Sequence, residues 1–166
     1  MGLGTRSDVS TVLHLFLLCF YPCRSKGNVM QTASVKWIGE EQFVGTSPSG
    51  HLVVFDTDSK SNKAPTPMEM LLLALGSCTA VDVVGILKKK RQKLDALEVI
   101  CSGERAPDPP KVWTKLEIVF RLRGTLDDAA VKRAIELSEG KYCSVAAMLK
   151  KTATLSWRYE ILAPEK

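Results

Sequence analysis

A chain of 166 residues that is 45% hydrophobic and 25% charged has the composition of one globular domain with enough length to bury a core. Its net charge of +5 is modest, and two of those charges fall in the first 29 residues, leaving the remainder almost balanced. That excludes a nucleic-acid binder with a concentrated basic face and interleaved aromatics, and the five cysteines at 19, 23, 78, 101 and 143 lack the paired spacings of a structural zinc site.

Residues 1–29 differ in kind from the rest of the chain. The stretch "TVLHLFLLCFYPC" (11–23) is apolar but too short to cross a bilayer. It lacks a small-x-small cleavage site, and "MGLGTR" puts Arg6 where a myristoylation signal needs Ser or Thr. This extension reads as a mis-assigned start, a targeting segment or a mobile tail, and residues 30–163 as the domain. Cys78, Cys101 and Cys143, an odd number in that domain, do not form a secreted disulfide framework and fit a reducing compartment, the cytoplasm.

Alternation of apolar and polar residues predicts strands over 33–38, 41–47 and 51–56, with turns at Gly39-Glu40 and Pro48-Ser49-Gly50. A polar loop (57–67) leads into a helix beginning "PMEMLLLALGSCTAVDVVGILKKK" (67–90). Thr66-Pro67-Met68-Glu69 is a capping box with Pro in the first turn, which accounts for Glu69 without catalysis; the alternative is a supporting role for Glu69 at a redox site. The basic run 88–93 suits the helix C-terminus and its dipole. Strands follow over 94–105 and 111–124, then an amphipathic helix over 125–140, a second short helix over 142–151 and a closing strand over 153–162. Segregated strands and helices give an α+β fold with antiparallel sheet. The long helix is apolar nearly all round, more than one such chain can cover, so an intertwined homodimer is expected. Nothing calls for a cofactor, a metal or a stable membrane span.

Three residues of the long helix invite chemistry. Gly76 is costly in a helix interior and implies a close approach from another backbone or a substrate. Cys78 and Asp82 lie one turn apart on one face. A carboxylate there raises a thiol's pKa, so a cation is expected to neutralise it, with Arg105, Arg121, Arg123 or His51 as candidates. Cys143 falls near a helix start, where free amides and the dipole lower a thiol's pKa. Cys101, inside an alternating strand, reads as packing.

The segments "APTPMEMLLLALGSCTAVDVV" and "EGKYCSVAAMLKK" resemble the two cysteine motifs of the OsmC/Ohr family, and in particular its YhfA-like branch. The resemblance spans Met30 to about Leu162. It implies a homodimer in which antiparallel sheets wrap two long central helices. It also implies that Cys78 is the peroxidatic thiol, which attacks an organic hydroperoxide, and Cys143 the resolving thiol, with a dithiol or lipoyl-type reductant closing the cycle in oxidative-stress defence. The peroxidase branches activate the first thiolate with an Arg from the N-terminal strands, held by a Glu directly after the helix Pro. Here residues 31–56 contain no Arg, only Lys36 and His51, and that Glu position is Met68, with Glu69 one further on. The alternative is therefore a non-catalytic dimer that binds a small apolar or thiol ligand.

Overall fold

The computed structural model describes residues 30–164, so the expected extension over 1–29 lies outside the described residues. Three strands, β1 (Ser34–Gly39), β2 (Gln42–Thr46) and β3 (Leu52–Asp56), form an antiparallel sheet in the order β1-β2-β3. Gly39 and Glu40 both adopt positive φ in the first hairpin. The sheet carries Val35, Trp37, Phe43, Val53 and Phe55 on one face, by register. Trp37 is 68% exposed, and Val35, Leu52 and Val54 are exposed as well, so the chain itself leaves much of this sheet uncovered.

Asp56 closes the first sheet and organises the loop behind it. Its buried carboxylate accepts hydrogen bonds from the amides of Asp58 (2.9 Å) and Lys63 (3.1 Å) and from the Ser61 hydroxyl. The Ser61 bond and the two amides hold its pKa below the ordinary carboxylate value, against the opposing effect of burial.

The long helix α1 (Pro67–Lys89) starts at the expected capping box: the Glu69 amide donates to Thr66 Oγ1 (3.2 Å) and the Thr66 amide to Glu69 Oε2 (2.7 Å). At its other end Arg91 takes positive φ, with Arg91 N–H donating to Lys88 O and Gln92 N–H to Leu87 O, the paired bonds of a Schellman stop. Leu75, Thr79, Val83 and Leu87, spaced by four, are its fully buried face. They meet β5 (Trp113–Thr125), whose Ile118, Phe120 and Leu122 alternate inward, and α2 (Asp128–Leu137), which contributes Val131, Ala134 and Ile135. The opposite face stays open: Leu73 is 60% and Val81 72% exposed.

The second sheet runs β4 (Lys93–Arg105), β5, β6 (Thr154–Leu162). The β4–β5 pair is antiparallel as expected, but β6 lies parallel to β5, a correction to an all-antiparallel sheet. The cause is topological. The segment between β5 and β6 contains α2, a five-residue π-helical turn (Ser138–Tyr142) and α3 (Ser144–Leu149), enough chain for a crossover that returns the strand in the same direction. By length and composition α1 could cross a membrane, and it is the one such helix among the described residues.

Candidate functional site: two cysteines near Asp82 and Glu139

Helix α1 presents Cys78 and Asp82 on the side that meets the turn and helix following α2. The π-helical turn brings the chain round so that Cys143 becomes the N-cap of α3, with its amide donating to Ser138 O (2.8 Å) and its Sγ accepting from the Ala146 amide (3.3 Å). Cys143 is 3% exposed and Cys78 half-buried; both are free thiols, as is Cys101. Because α1 packs against the π-helical turn and α3, Cys78 and Cys143, 65 positions apart in sequence, come close enough for Cys78 to act on the Cys143 thiol.

The Cys143 thiol departs from the expectation for a helix start. Burial pushes its pKa up to about 12, and the neighbouring Cys78 thiol and the Glu139 charge add to the rise; the Ala146 amide alone pulls the other way. The dipole of a six-residue helix is outweighed by removal from water. Cys101 is likewise pushed up to about 11, first by burial and then by the Glu139 charge.

Asp82 receives the Ser138 hydroxyl (3.0 Å). The cations considered for it are elsewhere or otherwise engaged. Arg105 donates from Nε to Lys111 O (2.7 Å) and lies over the Trp113 ring. Arg121 pairs with Glu98 (3.3 Å) and Glu160 (3.6 Å). Arg123 lines a groove on β4–β6 with Asp95, Glu98 and Glu160. His51 is exposed, with Nδ1 at 2.9 Å from Ser49 Oγ. The cation at the site is Lys150, next to Glu139: its Nζ donates to Glu139 O (2.7 Å) and stands 3.3 Å from Glu139 Oε2. Sequence reasoning missed Ser138, Glu139 and Lys150. Glu139 in "LSEGKY" reads as a solvated helix end, and only the π-helical turn rotates it inward.

Gly76 explains itself through β4: a Cβ there would meet Cys101 Sγ at 3.3 Å, so the strand and not a substrate supplies the close approach. An open groove of about 440 Å³ runs beside this contact, lined by Asn62, Lys63, Glu69, Leu72, Leu73 and Cys101. It continues along Gly76, Ala80, Leu97 and Val99. Cys101 borders this groove; the two motif cysteines do not. Among the described residues, no group of three or more His, Cys, Asp and Glu side chains is placed to hold a metal ion.

The family description "OsmC-like protein" matches residues 60–158. Protein YhfA of Escherichia coli (strain K12) is 46% identical over 132 residues, covering 79% of this chain and 98% of that protein. The crystal structure of a hypothetical protein from Aquifex aeolicus VF5 superposes with a TM-score of 0.74 at 32% identity, over 82% of this chain and 99% of that one. An organic hydroperoxide resistance protein OsmC from Legionella pneumophila has a TM-score of 0.59 at 11% identity, over 81% of this chain and 99% of that one, a likeness of fold alone.

Proposed function

Because the chain belongs to the OsmC-like family, we propose that it reduces organic hydroperoxides with a cysteine pair, Cys78 as peroxidatic and Cys143 as resolving thiol. The observation that carries this reading is the packing of α1 on the π-helical turn and α3, which brings the Cys78 and Cys143 segments together so that Cys78 acts on the Cys143 thiol. The Cys78 thiolate attacks the distal oxygen of the hydroperoxide. The O–O bond breaks, the alkoxide leaves and takes a proton to become an alcohol, and Cys78 is left as a sulfenic acid. Cys143 then attacks the Cys78 sulfur. The S–O bond breaks, hydroxide leaves and takes up the proton that Cys143 gives up, and a disulfide and water result. A dithiol of lipoyl type reduces the disulfide and is itself oxidised. No cofactor is needed, and the half-exposed Cys78 is the thiol a substrate can meet.

The proposal includes a second copy of the chain. The uncovered sheet face around Trp37 and the open face of α1 at Leu73 and Val81 are apolar surface that a homodimer would bury. It also places the protein in the cytoplasm, where free Cys78, Cys101 and Cys143 stay reduced. A non-catalytic dimer that binds a small apolar or thiol ligand is favoured by one observation: residues 31–56 hold no Arg to lower a thiol's pKa.

Dithiothreitol- or dihydrolipoamide-driven reduction of cumene hydroperoxide separates the two. Turnover by the native chain and its loss in Cys78→Ser support the peroxidase; thiols untouched by hydroperoxide while the folded dimer persists would leave the binding reading.

A further inference from the structure

Ser138 bonds in two directions at once. A serine at the end of a helix ordinarily turns its hydroxyl back toward a carbonyl of its own helix, three or four residues before it. Here the Ser138 amide takes those carbonyls, Ala134 O and Ile135 O. The hydroxyl leaves its own segment and donates to Asp82 Oδ2 on α1, 3.0 Å away and 56 positions back in the chain. Ser138 has no exposed surface, so the bond is shielded from water. Asp82 stands one helical turn after Cys78 on the same face of α1. On the other side, the Ser138 carbonyl accepts the Cys143 amide at 2.8 Å, the bond that closes the π-helical turn. An unbroken path therefore runs from Cys78 along α1 to Asp82, across to Ser138 and on to Cys143. Lys150 braces the same turn by donating to Glu139 O (2.7 Å), but that contact ties the turn to the end of α3; the Asp82 bond ties it to α1.

We propose that Asp82 and Ser138 form a latch that fixes Cys143 against Cys78 and so sets how readily the two thiols close into a disulfide. This rests on the cysteine-pair reading and deepens it, by naming what positions the resolving thiol. A disulfide closes only when the two Cα atoms stand within about 7 Å with their side chains aimed at each other. A turn free to drift off α1 would have to be reordered at every closure, an entropic cost that the latch removes in advance. Asp82 and Ser138 are positioning residues, acting on the thiols through the backbone that carries them. The latch also accounts for a carboxylate on a helix that is otherwise apolar nearly all round, with no cation required.

The test is the equilibrium of the reduced full-length chain with glutathione buffers of fixed ratio at neutral pH, the Cys78–Cys143 disulfide being counted by differential alkylation and peptide mapping. Each disulfide formed reduces one oxidised glutathione to two glutathiones, which take up the two thiol protons. In Ser138→Ala the equilibrium constant for the disulfide should fall about tenfold, the contribution of one hydrogen bond to a carboxylate. Iodoacetamide alkylation of Cys78 should keep its native rate, because the latch decides where Cys143 stands. Asp82→Asn, which keeps an acceptor oxygen for Ser138, should stay near the native constant. A folded Ser138→Ala protein with the native constant overturns the proposal. So does a fall matched by an equal change in Cys78 alkylation, which would assign the effect to the Cys78 thiol itself, and so does a native chain that forms no Cys78–Cys143 disulfide. If Ser138→Ala does not fold, Asp82→Ala carries the test with the same expected fall, and an unchanged constant overturns it. Native protein that consumes no hydroperoxide while Ser138→Ala still weakens the disulfide sinks the peroxidase reading and leaves the latch standing; hydroperoxide turnover with an unmoved constant does the reverse.

Discussion

At Gly76 a missing side chain decides how near β4 lies to α1. Alanine there should gain about 1 kcal/mol of helix propensity, but its Cβ would press on Cys101 Sγ at 3.3 Å. The two effects oppose, so Gly76→Ala should be close to neutral in the native chain. In a Cys101→Ala background, with the sulfur gone, the same substitution should stabilise by roughly the full propensity gain of about 1 kcal/mol. Urea midpoints of the four proteins in this cycle measure it, and equal effects in both backgrounds would remove the contact as the reason for glycine. The raised thiols make a second claim at this scale. Cys101 and Cys143 hold their protons more tightly folded than unfolded, up to about 11 and about 12 against an ordinary 9.0. Their contribution is complete below about pH 9 and is lost as pH rises through those folded values. Stability should therefore fall across that alkaline window, and Cys101→Ala should flatten part of the fall.

At the scale of elements, the legible features of the chain were those with a period or a stop signal. Alternation located the six strands of the described residues, and Thr66-Pro67-Met68-Glu69 located the start of α1 to the residue. That box makes a prediction of its own. Thr66→Ala should destabilise by about 1 kcal/mol, since the Glu69 amide loses its cap. The Glu69 pKa is lowered by the Thr66 amide and then by its hydroxyl, so the box contributes above the ordinary carboxylate range and fades as pH falls below it. Thermal melts of Thr66→Ala and the native chain should therefore converge at acid pH. Features without a period were not legible. A π-helical turn repeats nothing, and it interrupts a segment that periodicity presents as one helix over 125–140. The direction of β6 is not encoded in β6 at all; it is set by the length of the crossover. The candidate site was therefore half legible: its two cysteines and Asp82 carry motif and helical spacing, whereas Ser138, Glu139 and Lys150 reach it through the turn.

For the whole molecule the question is what covers its apolar surface. Helix α1 buries one face, at Leu75, Thr79, Val83 and Leu87, and leaves Leu73 and Val81 open, while the first sheet leaves Trp37 and Val35 open. Removing residues 1–29 is expected to keep both the fold and the thiol chemistry, because the strand pattern begins only after Met30; a melting temperature lowered by many degrees in the truncated chain would refute that. If a second copy covers these faces, the folded chain and its association are one equilibrium, and the melting temperature must rise with protein concentration. Val81→Glu places a charge in the middle of the open helix face. It touches none of the fully buried positions of α1, so it should spare the packing within the chain while setting like charges against each other across the proposed interface. Sedimentation at low micromolar concentration should give a dimer for the native chain. Val81→Glu should sediment as a monomer or melt far below the native protein, with the loss growing on dilution. A native chain that sediments as a folded monomer, with a melting temperature independent of concentration, would refute the dimer, and the open faces of α1 and the first sheet would then need another cover.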